Sequence, residues 1–116
     1  MQNECYIMIK IDTDGLPIHA IENIKEQLSD ITGRKSCRID HKDYDYFLRI
    51  TCIGRYAEVE KMRETLQSVL ISYGDSVIEV YGNVMQETDE KCYMHEFKYD
   101  REQDKPFVLR YEIVEM

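Results

Sequence analysis

The strongest constraint on the fold is a pattern that occurs twice along the chain. An alternating apolar strand is followed by a glycine and by an amphipathic helix that another glycine closes. The first copy spans Glu4 to Gly33 and the second spans Phe47 to Gly74. Each copy leaves an apolar helix stripe and an apolar strand face in water unless the two pack together. The repeat therefore predicts a layer of two helices against one face of a sheet.

The order of the predicted elements narrows the fold class. Apolar residues at positions 5, 7, 9 and 11 alternate with polar or mixed ones, as in a half-buried strand. A helix follows, with Pro17 in its first turn and an apolar stripe of Ile18, Ile21, Ile24, Leu28 and Ile31. After it come a short strand over 36–40, a strand over 46–53, a second helix over 56–73 and a strand over 77–84. The resulting βαββαβ order over residues 4–84 predicts an α+β, ferredoxin-like two-layer sandwich.

The residues that follow the predicted βαββαβ unit are expected to form a C-terminal β-hairpin extension. Residues 92–99 and 107–114 both alternate like strands, and the charged segment 100–106 separates them. We expect an appended hairpin over 87–115. A chain of 116 residues is sufficient for one hydrophobic core, so residues 1–116 are expected to form a single domain.

The face of the sheet turned away from the helices is predicted to carry Tyr6, Met8, Phe47 and Thr51. This face is too apolar to be left entirely in water. The hairpin folded back, a second copy of the protein or another partner would cover it. We expect two sheets stacked face to face in a homodimer.

Charge and cysteine usage limit the partners and the compartment. The chain has 23 acidic and 15 basic residues, a net charge of −8. Such a surface repels phosphate backbones and anionic membranes, so direct binding to nucleic acid or to a membrane is disfavoured. Four widely spaced cysteines, Cys5, Cys37, Cys52 and Cys92, without a recognisable signal peptide predict reduced thiols in the cytoplasm.

The predicted hairpin has the composition of a protein-binding patch, since aromatic residues on one strand face are bordered by acids. The same aromatic side chains would also suit an extension of the core, and both interpretations stay open. The candidate partner-binding residues are Glu87, Asp89, Glu90, Tyr93, Phe97, Tyr99, Asp100, Glu102 and Asp104.

The segment Asp12-Thr13-Asp14-Gly15-Leu16 offers two alternatives. It resembles the D-x-x-G-L turn of ACT-type regulatory domains, which share the βαββαβ order and dimerise around a small effector. The resemblance implies an effector-binding role for Asp12, Asp14 and Gly15. The second alternative is a metal-dependent enzyme in which Asp12 and Asp14 hold a divalent cation. Capping of backbone N–H groups accounts for the same aspartates without a ligand.

No sequence motif in the chain indicates catalysis. A nucleophile elbow, a phosphate loop and a dinucleotide-binding fingerprint are all missing, and Cys92-x-x-His95 is only half of a zinc site. We therefore expect no catalytic residue, metal or cofactor. The leading hypothesis is a non-catalytic protein-binding module, a small acidic regulator or inhibitor. Its concrete form is an anti-defence inhibitor that blocks a basic nucleic-acid-handling protein.

Overall fold

The computed structural model describes residues 4–12, 16–32, 37–41, 47–54 and 58–116. The prediction of an α+β fold is confirmed. Neither of the described helices has the length and apolar character needed to cross a membrane. The elements are β1 (Glu4–Asp12), α1 (Ile18–Thr32), β2 (Cys37–His41), β3 (Phe47–Gly54), α2 (Val59–Tyr73), a 3-10 turn (Gly74–Ser76), β4 (Val77–Glu87), β5 (Cys92–Asp100) and β6 (Arg110–Glu115).

The described strands form one antiparallel sheet in the order β2-β3-β1-β4-β5-β6. The strand β1 lies at its centre, where Ile9 is paired with Ile50 of β3 and with Val80 of β4. The hairpin of β5 and β6 continues the sheet beyond β4. Of the three covers considered for the open face, the folded-back hairpin is therefore excluded, because β5 is hydrogen-bonded edge to edge with β4 and β6 with β5.

Both helices lie on one face of the sheet, and two glycines allow the close approach. A Cβ atom on Gly54 would lie 2.8 Å from the Cα of Thr32 in α1. A Cβ atom on Gly82 would lie 2.9 Å from the Cδ1 of Leu66 in α2. Because Gly54 and Gly82 are paired with Cys5 and Ile7 of β1, the helices cover the odd-numbered side chains of β1.

The core fills the space between this sheet face and the helices. Each fully buried aliphatic side chain contributes about 1.5–3 kcal/mol relative to its exposed state. The predicted alternation in β1 is confirmed, and so are the predicted helix stripes in the described residues, except at Ile18. The prediction places this residue on the stripe of α1, but it is 79% exposed at the start of the helix. The central members of the core are Ile7, Ile9, Ile11, Ile24, Leu28, Ile50, Met62, Leu66, Leu70, Val77 and Phe97.

Two of the four cysteines are joined in a disulfide. Cys37 and Cys52 are direct neighbours in the pairing of β2 with β3, their Cα atoms are 4.0 Å apart, and their sulfurs are bonded. The expectation of reduced thiols throughout is therefore wrong for this pair, because strand register places side chains together that the sequence keeps far apart. Cys5 and Cys92 are thiols. Burial raises the pKa of the Cys5 thiol, while a hydrogen bond to the backbone of Gly54 lowers it by less.

The loop between β5 and β6 is attached to the end of α2. A Cβ atom on Gly74 would overlap the ring of Phe107, so this ring packs directly on the glycine backbone. The Nε2 of Gln67 donates a hydrogen bond of 2.9 Å to the Phe107 carbonyl. Phe107 has a φ of 64°, in the left-handed region. Because residues 107–109 serve this attachment, β6 begins at Arg110 rather than at the predicted residue 107.

Candidate protein-binding surface

Exposed apolar side chains are concentrated at the C-terminal end of the described chain. Of the nine large hydrophobic residues that are exposed in the described ranges, Ile18, Ile53 and Ile71 lie on three different elements. The remaining six lie within 107–116 and are named here the C-terminal patch. Single exposed apolar residues are normal in a soluble domain, whereas clusters mark interaction sites. The C-terminal patch consists of Phe107, Val108, Tyr111, Ile113, Val114 and Met116. It surrounds the edge of the sheet, because Tyr111 and Ile113 face the helix side and Val114 faces the opposite side.

The strand β6 is exposed because it has one neighbour. It pairs with β5 alone in the described sheet, and all six of its residues are exposed. Tyr111 and Ile113 lie on the helix side, since they are paired with Phe97 and His95. Helix α2 packs over β4 at Gly82, two strands before β6. The helix-side surface of β6 is therefore an exposed strip of sheet beside α2, named here the shelf.

A hydrogen-bond network fixes the aromatic ring of Tyr111 on this shelf. The Nε2 of His95 is 3.0 Å from the Oε1 of Gln86, and its Nδ1 is 2.6 Å from the Tyr111 hydroxyl. Because the Gln86 oxygen only accepts, Nε2 carries the proton, and the Tyr111 hydroxyl donates to Nδ1. The Tyr111 ring also stacks on Phe97, with the ring centroids 4.9 Å apart. Tyr111 is thus a pre-positioned aromatic group, 40% exposed.

The electrostatics of this network keep both groups neutral near pH 7. Burial lowers the pKa of His95 below its ordinary value. Burial also raises the pKa of Tyr111, with a further increase from Glu60 and an opposing decrease from Arg63. A tyrosine used as a nucleophile or base needs a lowered pKa, which is the opposite direction. The raised pKa keeps the Tyr111 hydroxyl protonated, as a hydrogen-bond donor to the neutral His95.

The predicted acidic residues fall into two groups at opposite ends of the hairpin. Glu87, Asp89 and Glu90 are exposed at the turn between β4 and β5. Asp100, Glu102 and Asp104 lie at the start of the loop between β5 and β6. Since β5 has nine residues at about 3.3 Å each, the groups lie roughly 27 Å apart. The acids therefore flank the hairpin at both ends instead of forming one continuous rim.

Two of these acids have structural roles within the loop. The Asp104 carboxylate accepts a 2.8 Å hydrogen bond from the Asp100 backbone N–H and lies 2.8 Å from the Nε of Arg110. The Asp100 carboxylate accepts a 2.9 Å hydrogen bond from the Glu102 backbone N–H. Asp104 is only 12% exposed in its side chain. The exposed acids that are available to a partner are Glu87, Asp89, Glu90 and Glu102.

The predicted aromatic residues of β5 lie mostly in the core. Phe97 is fully buried and Tyr99 is 2% exposed, so the core-extension interpretation applies to both. Tyr93 is half-buried, opposite Glu115 of β6. The exposed aromatic and aliphatic groups are instead those of the C-terminal patch.

The open face of the sheet is partly covered by its own side chains. Tyr6 and Met8 are half-buried and Thr51 is buried, while the side chain of Phe47 lies outside the described residues. The Tyr6 and Tyr81 rings lie with their centroids 6.0 Å apart. The Tyr81 hydroxyl donates a 3.3 Å hydrogen bond to Glu96 and accepts a 3.1 Å bond from Asn83. Near one end of this face, Ile53 is 58% exposed beside a shallow depression of about 340 Å³.

The residues of the effector-binding and metal-dependent alternatives lie only partly within the described ranges. Asp12 is half-buried at the end of β1, and Asp14 and Gly15 lie outside the described ranges. In the described part of the chain, no group of three or more His, Cys, Asp or Glu side chains is placed to hold a metal ion. Cys92 and His95 lie on opposite faces of β5, and His95 is hydrogen-bonded within the network described above.

Comparison with known proteins adds no assignment. No family model matches the sequence, and no curated protein or solved structure matches it significantly.

Proposed function

We propose that this protein is a non-catalytic protein-binding module, a small acidic regulator or inhibitor that docks its partner on the C-terminal patch. The observation that carries the proposal is the concentration of six of the nine exposed large hydrophobic residues within 107–116. Protein interfaces have an apolar centre that contains rigid aromatic anchors and a polar rim. Tyr111, held by His95 and Phe97, is the proposed anchor.

Charge supports a basic partner. The net charge of −8 accelerates encounter with a positively charged surface and repels an acidic one. The exposed acids Glu87, Asp89 and Glu90 at one end of the hairpin and Glu102 at the other are the proposed charged contacts that flank the C-terminal patch. A basic nucleic-acid-handling protein has the complementary charge, and an anti-defence inhibitor that blocks such a protein is the specific form of the proposal.

We also propose that residues 4–84 form a ferredoxin-like unit. The order β2-β3-β1-β4 with a helix after β1 and another after β3 supports this assignment. The effector-binding and metal-dependent alternatives stay predictions. The open-face homodimer and the cytoplasmic location stay predictions as well.

The proposal is tested by comparing what binds the wild type and two matched variants. Val108→Glu places a charge in the C-terminal patch, and Ile71→Glu places the same charge on an exposed site of α2. Tagged proteins are recovered from the native cell, and their binding partners are quantified by mass spectrometry. We expect a partner whose recovery falls at least tenfold with Val108→Glu and stays unchanged with Ile71→Glu. Equal recovery with both variants would overturn the patch as the docking surface.

The partner so identified is then measured against purified protein at increasing salt. Exchange of Glu87, Asp89 and Glu90 to Lys should weaken binding and flatten its salt dependence, because screening acts on these exposed charges. Binding that does not change with salt in the wild type would overturn the basic-partner form of the proposal.

A further inference from the structure

We infer that the exposed edge of β6 pairs with β6 of a second copy, antiparallel, with Ile113 opposite Ile113 of that copy. The inference rests on the proposed protein-binding function, and it assigns the backbone edge of β6 to a second copy, while the basic partner is assigned to side chains of the C-terminal patch. An unpaired edge strand presents backbone N–H and C=O groups that serve as a template for another strand. No described strand lies beyond β6 in this sheet.

The phase of hydrogen bonding in β6 determines which backbone groups point outward. The Met116 N–H donates a 2.8 Å hydrogen bond to the Cys92 carbonyl of β5. Inward and outward groups alternate along an antiparallel strand. Val114, Glu112 and Arg110 therefore direct their backbone groups towards β5. The backbone groups that point away from the sheet are those of Tyr111, Ile113 and Glu115.

These outward groups favour one register for a symmetric pair. A two-fold axis at Ile113 places Ile113 opposite itself and Tyr111 opposite Glu115, which gives about six hydrogen bonds between the copies. An axis at Glu112 gives about four, and it also places two glutamates directly opposite each other, which is unfavourable. The register centred on Ile113 is therefore the one that the strand's own geometry and charge favour.

The side chains on both surfaces of the extended sheet are compatible with this register. On the helix side, Ile113 covers Ile113, and Tyr111 lies beside Glu115. On the opposite side, Glu112 lies next to Val114 and Arg110 next to Met116. No two like charges are directly opposite, and each favourable cross-strand pair contributes about 0.2–1 kcal/mol. The paired shelves would form one continuous aromatic and aliphatic surface between two α2 helices.

The other edge of the sheet lacks these properties. The strand β2 has only five residues, and its sequence Cys-Arg-Ile-Asp-His is largely polar. Its one aliphatic residue, Ile39, is half-buried, whereas β6 exposes Tyr111, Ile113 and Val114. Of the two sheet edges, the β6 edge is the one suited to a second copy.

The test is the oligomeric state of the full chain, measured by sedimentation over a range of concentrations. Ile113→Lys and Ile113→Glu should each weaken the dimer at least tenfold, because residue 113 meets itself and like charges then repel. An equimolar mixture of the two variants should regain at least tenfold, as a heterodimer. Ile53→Lys, on the open sheet face, is the matched control and should leave the dimer unchanged.

The outcomes distinguish a dimer formed through the β6 edge from one formed through the open sheet face. A wild type that stays monomeric, or variants whose mixture does not associate, would overturn the inference. Dissociation by Ile53→Lys would assign the dimer to the open face instead. Circular dichroism and thermal melting confirm that each variant is folded.

Amide hydrogen exchange followed by NMR tests the register without any substitution. Protection of Tyr111, Ile113 and Glu115 should increase with protein concentration, and protection of Glu112 and Val114 should already be present in the monomer. Concentration-independent exchange at the three outward amides would overturn the inference.

Salt separates the failure of this inference from the failure of the proposed function. Two copies that each carry −8 repel, so the homodimer should tighten as salt rises. A basic partner should bind more weakly under the same conditions. A homodimer that weakens with salt would overturn the self-pairing, and the Val108→Glu recovery experiment would report on the partner separately.

Discussion

The strands β1 and β6 show how differently one sequence pattern can be used. Both alternate apolar and polar residues. In β1, Ile7 and Ile9 are fully buried between two neighbouring strands and under two helices, whereas Ile113 in β6 is 53% exposed. The alternation determines which side of the sheet a side chain faces. The number of neighbouring elements determines whether the side chains on that side are buried from water.

The largest expected effect comes from making the same substitution, isoleucine to alanine, in both strands. Ile7→Ala should lower the free energy of unfolding by about 2–5 kcal/mol, because it leaves a cavity in the core. Ile113→Ala should change it by less than about 0.5 kcal/mol when the protein is dilute enough to be monomeric. Urea denaturation of both variants gives the two values. Equal losses would show that β6 is covered within one chain.

The two edges of the sheet allow a second test. The disulfide between Cys37 and Cys52 holds the β2 edge, and no disulfide holds β6. Changing both cysteines to Ala should lower the free energy of unfolding by about 3 kcal/mol, since the bond closes a chain segment of 15 residues. Cys92→Ala is the control and should have a small effect. A loss below about 1 kcal/mol would mean that β2 is held by other contacts.

The smallest expected effect is a pH dependence that arises at the junction of β5 and β6. The folded protein lowers the pKa of His95, so the unfolded chain takes up this proton first as the pH falls. The contribution of neutral His95 is complete above the unfolded pKa of about 6.5, and it is lost as the pH falls towards the lower folded pKa.

The difference in free energy of unfolding between wild type and His95→Gln isolates this contribution. It should shrink between pH 7.5 and pH 5, when both proteins are followed by urea denaturation. His19→Gln, at an exposed site on α1, is the matched control. A difference that stays constant over this range would contradict the lowered pKa.

Local patterns were sufficient to predict most elements of the fold. The alternation in β1 and the three-and-four spacing of Ile21, Ile24, Leu28 and Ile31 in α1 depend on side-chain direction within one element. The structure confirms them because nothing outside the element changes that direction. The α+β class follows from the same patterns.

The features that the sequence did not predict depend on which elements become neighbours. Cys37 and Cys52 are joined because β2 and β3 pair in one particular register. Phe97 and Tyr99 are buried because β5 joins the sheet beside β4 and turns these side chains into the core. The strand β6 begins at Arg110 rather than at residue 107, because Phe107 in the loop packs on Gly74. The exposed candidate surface is therefore what remains after these long-range contacts are made.

The central place of β1 has a further consequence for the way the chain folds. Ile9 is paired with Ile50 on one side and with Val80 on the other. Both neighbours of this strand are therefore distant from it in sequence, and β1 can pair only after those segments have been brought close. Folds that depend on such distant pairings fold more slowly than helical bundles. Until residues 77–84 are in place, β1 keeps an open edge beside its fully buried isoleucines. Its risk of aggregation is therefore highest in the half-assembled chain rather than in the finished sheet.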